Sequence, residues 1–346
     1  MDIQKLARKN ILDLEPYASA RDEFNGTAHC FLDANENPLV TPYNRYPDPH
    51  QRVLKERIAE IKRLKSENIF LGNGSDEAID LLIAMFCEPQ IDNIVSIAPT
   101  YGMYKVVADC RNVEFREALL NEDFSLNVAD IENIVDLNTK MVFFCSPNNP
   151  SGSLLDRENI LDFAKHFSGI VVIDEAYIDF ANSESFILEL NSYNNIVVLQ
   201  TFSKAWGMAG VRLGMAFAHK NVISILNKIK YPYNINQLTQ EYAIKQLDRV
   251  DECKKNIQIL NAERESLTLA LNSIKFIIKV YRSDSNFLLV KVDDANEIYN
   301  YLINKGVIVR NRTNVPLCNN CIRITVGTTD ENNMLIELLR EKHSNG

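Results

Sequence analysis

Three short runs constrain this chain more than anything else in it: 140–145 (KMVFFC), 169–173 (GIVVI) and 195–200 (NIVVLQ). Each is apolar almost without interruption and carries β-branched or aromatic residues. A strand with one wet face alternates apolar and polar residues. These runs do not alternate, so both of their faces must be covered. Segments with helical periodicity lie around them at 53–64, 75–87, 101–109 and 156–166, with further short strands at 68–71 and 93–97. Strands alternating with helices predict an α/β fold on a mostly parallel central sheet. Ser75 or Asp76 is the expected N-cap of the helix over 75–87.

The pattern changes near residue 236. A long helical stretch, polar on one side, is expected over 237–271, followed by strands at 276–280 and 287–291. A helix over 295–305, strands at 307–310 and 322–326 and a last helix over 330–342 complete a smaller α+β domain. The first 40 residues are interrupted by Pro16, Gly26 and Pro38, with a strand-like pair at Phe31 and Leu32. At about 150 residues per domain, a chain of this length holds two. The expected division is an arm over 1–45 that packs with the small domain and a partner subunit, a large domain over 46–236 and a small domain over 237–346.

Charge and cysteine content narrow the function. Lysine and arginine number 37 and acidic residues 46, a net charge of −9 with no basic block. Nucleic acid and anionic membranes are therefore poor partners. No apolar run approaches the roughly 18 residues of a membrane span. The amino-terminal MDIQKLARKNILDLEPY has no apolar centre of the secretory kind. Seven irregularly spaced cysteines suit reduced thiols in the cytoplasm. The expected class is a cytoplasmic enzyme of small molecules.

Ligands of doubly wound sheets bind beyond the carboxyl ends of the strands. After 68–71 comes Gly72-Asn73-Gly74-Ser75-Asp76-Glu77, a glycine-rich entry to a helix whose free N–H groups suit an anion. It is neither a P-loop nor a GxGxxG turn. After 140–145 comes Ser146-Pro147-Asn148-Asn149-Pro150-Ser151-Gly152, an irregular loop presenting two amides. After 169–173 comes Asp174-Glu175-Ala176-Tyr177. A carboxylate ending an apolar strand is costly unless something pairs with it. After 195–200 comes Thr201-Phe202-Ser203-Lys204-Ala205-Trp206, with Arg212 eight residues beyond the lysine. A desolvated lysine loses its proton and becomes a nucleophile. An arginine fork grips phosphate at two points. An anion cup, an amide, a carboxylate, a phenol, a lysine and an arginine are what pyridoxal 5'-phosphate requires of a protein.

The chain resembles the fold-type I pyridoxal-phosphate-dependent aminotransferases. The resemblance is carried by DANENP (33–38), RYPD (45–48), GNGSDE (72–77), PTYGMY (99–104), SPNNPSG (146–152), DEAY (174–177), TFSKAWGMAGVRLG (201–214), SNF (285–287) and RITVGT (323–328). These segments keep the family's order over nearly the whole chain. Ser151 stands where threonine is commoner, and keeps the hydroxyl. The resemblance implies a large cofactor-binding domain and a small α+β domain.

The same resemblance implies the roles. Lys204 carries the cofactor covalently and moves a proton between the substrate α-carbon and the cofactor's C4′. Asp174 pairs with the ring nitrogen, Tyr177 and Asn149 hold the phenolate oxygen, and Tyr101 stacks on the ring. Gly74, Ser75, Asp76, Thr201, Ser203 and Arg212 form the phosphate cup, Asp76 mainly through its backbone and as a cap. Tyr46 reaches the phosphate from a neighbouring subunit, which implies a homodimer with shared sites. Arg323 and Arg310 bind the substrate carboxylate or phosphate, and Tyr17 and Asn35 close over it. RYPD, PTYGMY and RITVGT narrow the implied reaction to amino transfer between L-histidinol phosphate and 2-oxoglutarate in histidine biosynthesis. An aromatic aminotransferase and a phospho-amino-acid decarboxylase remain open. A non-catalytic binding protein would not need both Lys204 and Asp174. No metal is expected: Cys318-Asn319-Asn320-Cys321 lacks a second ligand pair, and the five histidines are scattered.

Overall fold

The computed structural model describes residues 3–17, 28–39 and 41–344. Its larger sheet has seven strands in the order β1 (Ile69–Asn73), β7 (Leu213–Ala218), β6 (Ile196–Thr201), β5 (Ile170–Asp174), β4 (Thr139–Cys145), β2 (Asn93–Ala98) and β3 (Glu114–Leu119). All neighbours pair in parallel except β7, which runs antiparallel to both β1 and β6.

Burial on both faces follows from the sequence of these strands. Along β4, Met141 and Phe143 pack into one layer and Val142 and Phe144 into the other. Helix α3 (Ser75–Phe86) and helix α7 (Lys220–Ile229) cover the first layer with Ile79, Leu82, Ile83, Val222 and Leu226. Helices α2 (Arg52–Lys62) and α6 (Arg157–His166) cover the second with Leu54, Ile58, Ile160 and Phe163. Asp156 caps α6, its carboxylate accepting from Asn159 N at 2.8 Å. Helices α4 (Met103–Cys110) and α5 (Val128–Ile134) flank β3.

The smaller sheet is antiparallel throughout, in the order β10 (Arg310–Asn311), β11 (Cys321–Thr325), β9 (Phe287–Val292) and β8 (Ile277–Val280). Leu288, Val290, Ile322 and Ile324 of this sheet share a separate core with Leu302 of α10 (Ala295–Asn304) and Leu339 of α11 (Thr329–Ser344). No described helix is long and apolar enough to cross a membrane.

Several expectations are corrected. The helical stretch expected over 237–271 is two helices, α8 (Gln237–Leu247) and α9 (Val250–Asn272). Ala243 and Leu247 bury in the large-domain core, whereas Leu267 and Leu271 bury in the small one. The chain breaks between the two helices at Asp248 and Arg249. The arm does not pack with the small domain over its first stretch. Ile3 and Ala7 bury beside α3 and α7, and Arg8 holds Glu88 at 2.8 Å. Lys228 donates to Leu12 O, tying the same stretch to the end of α7. Ile3–Lys5 form a turn of 3₁₀ helix and Lys9–Asp13 a short α-helix, α1. Phe31 and Leu32 are not in a strand, and the strand expected over 307–310 shrinks to Arg310–Asn311. The two strands with no sequence signal are β3, a mostly wet edge, and antiparallel β7, hidden inside the lysine motif's downstream run.

Candidate active site

The carboxyl ends of β4, β5 and β6 lie side by side, with Cys145 opposite Asp174 and Asp174 opposite Leu199. Thr201, which ends β6, pairs with Gly214 of β7, and Gly214 pairs with Gly72 of β1. The loops after these strands surround a cavity of about 140 Å³. It is lined by Gly74, Ser75, Asp76, Tyr101, Asn149, Asp174, Tyr177, Thr201, Ser203, Lys204 and Arg212, together with Cys145, Ala176 and Ala209. Eleven of the residues expected from the sequence to bind a cofactor therefore line one cavity.

The anion end is built by close backbone approach. A Cβ at Gly214 would lie 2.1 Å from Ser75 N and 2.2 Å from the Gly74 carbonyl carbon, so only glycine lets β7 run against the start of α3. The N-cap is Gly74, at φ +74°, and no side chain caps the helix. This corrects the capping role expected of Ser75 or Asp76. The result leaves the first N–H groups of α3 without a side-chain cap, facing a cavity that also holds Arg212, Thr201 and Ser203. Asp76 instead accepts from the Tyr101 hydroxyl at 3.1 Å and lies 3.8 Å from Arg212. Thr201 Oγ1 accepts from Ser203 N at 3.1 Å and donates to Ser203 Oγ at 3.0 Å, fixing the turn that carries Lys204.

Asp174 is buried at the far end. It accepts from the Tyr104 hydroxyl at 2.7 Å and from Ala176 N at 3.0 Å. Burial pushes its carboxyl up, and these two hydrogen bonds pull it back. None of the ion pairs among the described residues involves Asp174, though the Lys204 charge acts on it. Tyr104 is fully buried and stacks on Phe143 at 4.8 Å. It lies in the PTYGMY motif but had no role assigned. Its only sequence signal is its place in that motif, three residues after Tyr101.

Lys204 Nζ lies 5.5 Å from the centre of the Tyr177 ring. Burial lowers its pKa, the Arg323 charge lowers it further, and Asp174 and Asp76 oppose the change. The neutral, nucleophilic amine is thereby favoured. Burial pushes the Tyr177 and Tyr101 phenols up, so both stay protonated donors. Of the two amides, Asn148 braces the loop, donating to Pro99 O at 2.9 Å and accepting from Thr100 Oγ1 at 3.0 Å. Asn149 faces the cavity and accepts from Arg323 Nη1. Glu175, also buried, faces away and accepts from Ser185 Oγ, Phe186 N and Gln200 Nε2, bracing the turn after β5.

The small domain supplies Arg323, whose guanidinium lies 5.2 Å from the Phe287 ring, itself edge-on to Tyr177 at 5.1 Å. Arg310 is its register partner on β10. Three named residues are elsewhere. Tyr46 stacks on Tyr233 at 4.4 Å and lines a separate surface cavity with Asn35. Tyr17 is 77 % exposed. Cys318 and Cys321 are free thiols buried in the core.

The donor set suits pyridoxal phosphate on the structure's own terms: an uncapped helix start with an arginine, a buried carboxylate with no ion pair among the described residues, and a lysine held toward its neutral form. The fold and this site define an aminotransferase. Residues 13–339 match the aminotransferase class I and II family, and the chain belongs to it. The histidinol-phosphate aminotransferase of Parabacteroides distasonis is 53% identical over 339 residues, 98% of each chain. The crystal structure of the histidinol-phosphate aminotransferase from Clostridium acetobutylicum superposes with a TM-score of 0.81 at 26% identity, covering 90% of this chain and 98% of that one. That of the Sinorhizobium meliloti histidinol-phosphate aminotransferase in complex with pyridoxal-5'-phosphate has the same fold, with a TM-score of 0.78 at 22% identity over 86% and 84% of the two chains.

Proposed function

We propose that this chain transfers the amino group of L-histidinol phosphate to 2-oxoglutarate, giving imidazole-acetol phosphate and L-glutamate, with pyridoxal 5'-phosphate in the cavity described above. The observation that carries the assignment is one cavity with Lys204, Asp174 and an uncapped helix start on the large domain and Arg323 bonded to its rim from the small one. The names and near-complete coverage of its relatives support the substrate.

When bound, pyridoxal phosphate supplies a conjugated ring that accepts the electron pair left on the substrate α-carbon. The chain does the rest. Gly74, Ser75, Thr201, Ser203 and Arg212 hold the phosphate. Asp174 keeps a proton on the ring nitrogen, which makes the ring a better acceptor. Tyr177 and Asn149 donate to the phenolate oxygen. Lys204 would take the substrate α-proton as a base and deliver it back as an acid, the neutral amine being the form that can accept it. Arg323 and Arg310 bind the anionic end of each substrate in turn, so one pocket serves both half-reactions. Tyr46, half-exposed and outside this cavity, supports completion of each site by a second subunit in a homodimer. Seven free thiols support a reducing, cytoplasmic setting.

The test is a titration of the holoenzyme with L-histidinol phosphate in the absence of a keto acid. The visible cofactor band is expected to give way to the near-ultraviolet band of the amine form, and to return on adding 2-oxoglutarate. A band that ignores histidinol phosphate but answers an aromatic amino acid discards the substrate and keeps the chemistry. Release of carbon dioxide without need of a keto acid makes the enzyme a decarboxylase.

A further inference from the structure

Three arginines of the small domain, Arg310, Arg312 and Arg323, lie close enough to act on one another's charge, and Arg323 bonds Asn149 of the cavity lining; among the described residues none of the three has a carboxylate partner. Arg310 and Arg323 face each other across the β10–β11 pair. Arg312 stands two residues beyond Arg310, and its N–H donates to Cys321 O at 2.8 Å, which carries the pairing one step further. With a side-chain period of two, Arg312 shares the face of Arg310 and Arg323. Like charges so placed repel one another. After burial, the Arg312 charge is the largest influence lowering the Arg323 pKa, and both arginines act on the Tyr177 phenol.

A second observation is independent of charge. Arg312 Nε and the neighbouring Thr313 Oγ1 are buried without hydrogen-bond partners. A buried charged donor left unbonded is among the most costly arrangements in a protein. Folding alone has no use for it here: Arg312 has no ion pair, and its own backbone N–H already serves the strand. The arrangement makes sense if an anion arrives.

We propose that Arg312 is a third substrate arginine, which grips the phosphate end of the amino donor and selects a phosphorylated donor over a carboxylate. A carboxylate offers two oxygens, which one guanidinium fork satisfies. A phosphate monoester offers three oxygens and nearly two negative charges, enough to engage several donors at once. Arg323 therefore suffices for glutamate, and Arg312 is used when the dianion is bound. This rests on the histidinol phosphate assignment and extends it by naming the group that discriminates.

The test uses the holoenzyme of wild type, Arg312→Met and Arg312→Lys. It measures kcat and KM for L-histidinol phosphate and L-glutamate separately, and the calorimetric Kd of inorganic phosphate. In Arg312→Met the histidinol phosphate KM and the phosphate Kd are expected to rise about 30-fold, the usual weight of a charge-assisted hydrogen bond, with kcat and the glutamate KM within about threefold. Arg312→Lys, which keeps the charge and loses the fork, is expected to lose about fivefold on the same two constants. Unchanged phosphate constants, or an equal loss for glutamate, would overturn the proposal. Should Arg312→Met fail to fold, the lysine variant decides by the same split between phosphate and glutamate. A wild type that ignores histidinol phosphate but binds phosphate through Arg312 sinks the substrate and leaves the arginine's role standing. Turnover of histidinol phosphate indifferent to residue 312 does the reverse.

Discussion

At Asp174 and Lys204 the site sets two protonation states in opposite senses. Burial alone would neutralise both groups. Asp174 keeps two hydrogen-bond donors against that pressure, and Lys204 sits beside a cation that adds to it. Tyr104 is thus part of the machinery at one remove. Tyr104→Phe deletes one of the donors, so the Asp174 carboxyl moves further up and its hold on the ring proton weakens. A drop of about tenfold in kcat and looser cofactor binding are expected, in line with a lost hydrogen bond to a charge. Steady-state kinetics and a cofactor titration check both. Lys204→Ala is expected to abolish turnover while leaving the fold intact, since an exposed residue in a loop adds little to the core. Near-wild-type activity with an unchanged melting curve would remove Lys204 from its role.

At the scale of elements, the phosphate end depends on β7 crossing the start of α3 without a side chain between them. Gly214→Ala puts a methyl group about 2 Å from backbone atoms of Gly74 and Ser75, so the loop must move. Cofactor affinity is expected to fall at least tenfold, with a stability loss of about 1–3 kcal/mol from the overpacking. Dissociation constants and denaturant midpoints measure the two effects, and an unchanged cofactor Kd would contradict the crossing's importance. Motifs tied to strand ends, such as Asp174 after 169–173, were legible because a buried strand announces itself. β3 was not, because Glu114–Leu119 is mostly solvated and alternates weakly. The break at Asp248 was not legible either. No proline or glycine marks it, and only the separation of two cores demands it.

At the scale of the molecule, Tyr46 and Lys55 give the testable consequences. Tyr46 lies outside the cavity of its own chain. Dimers mixed from a Tyr46→Phe chain and a Lys204→Ala chain are expected to outperform either parent, because one of their two sites has both residues intact. Parental activity in the mixture would argue against shared sites. Lys55 is buried where α2 meets α7, 3.4 Å from Asn227, with Lys230 nearby. Burial, aided by the Lys230 charge, lowers its pKa from 10.5 to about 8. The unfolded chain then binds more protons between those values, so its penalty is full below pH 8 and lifts as pH rises toward 10.5. Lys55→Met is expected to stabilise the protein at pH 7 by up to ~3 kcal/mol and to flatten the pH dependence of its unfolding midpoint above pH 8. A parallel pH dependence in the two proteins would count against it.

The sequence by itself determined the parallel sheet and most of the residues that line the cavity at its strand ends. Each of those is a local property: a strand buried on both faces must be apolar throughout, and a loop at its carboxyl end is fixed in place by the strand. Tertiary structure alone decided which core each helix joins, that the amino-terminal stretch packs on the large domain, that Gly74 and not a side chain opens α3, and that Tyr104 and Arg312 stand beside the chemistry. Those depend on contacts between residues far apart in the chain, such as Tyr104 with Asp174 and Arg8 with Glu88, which no local pattern encodes.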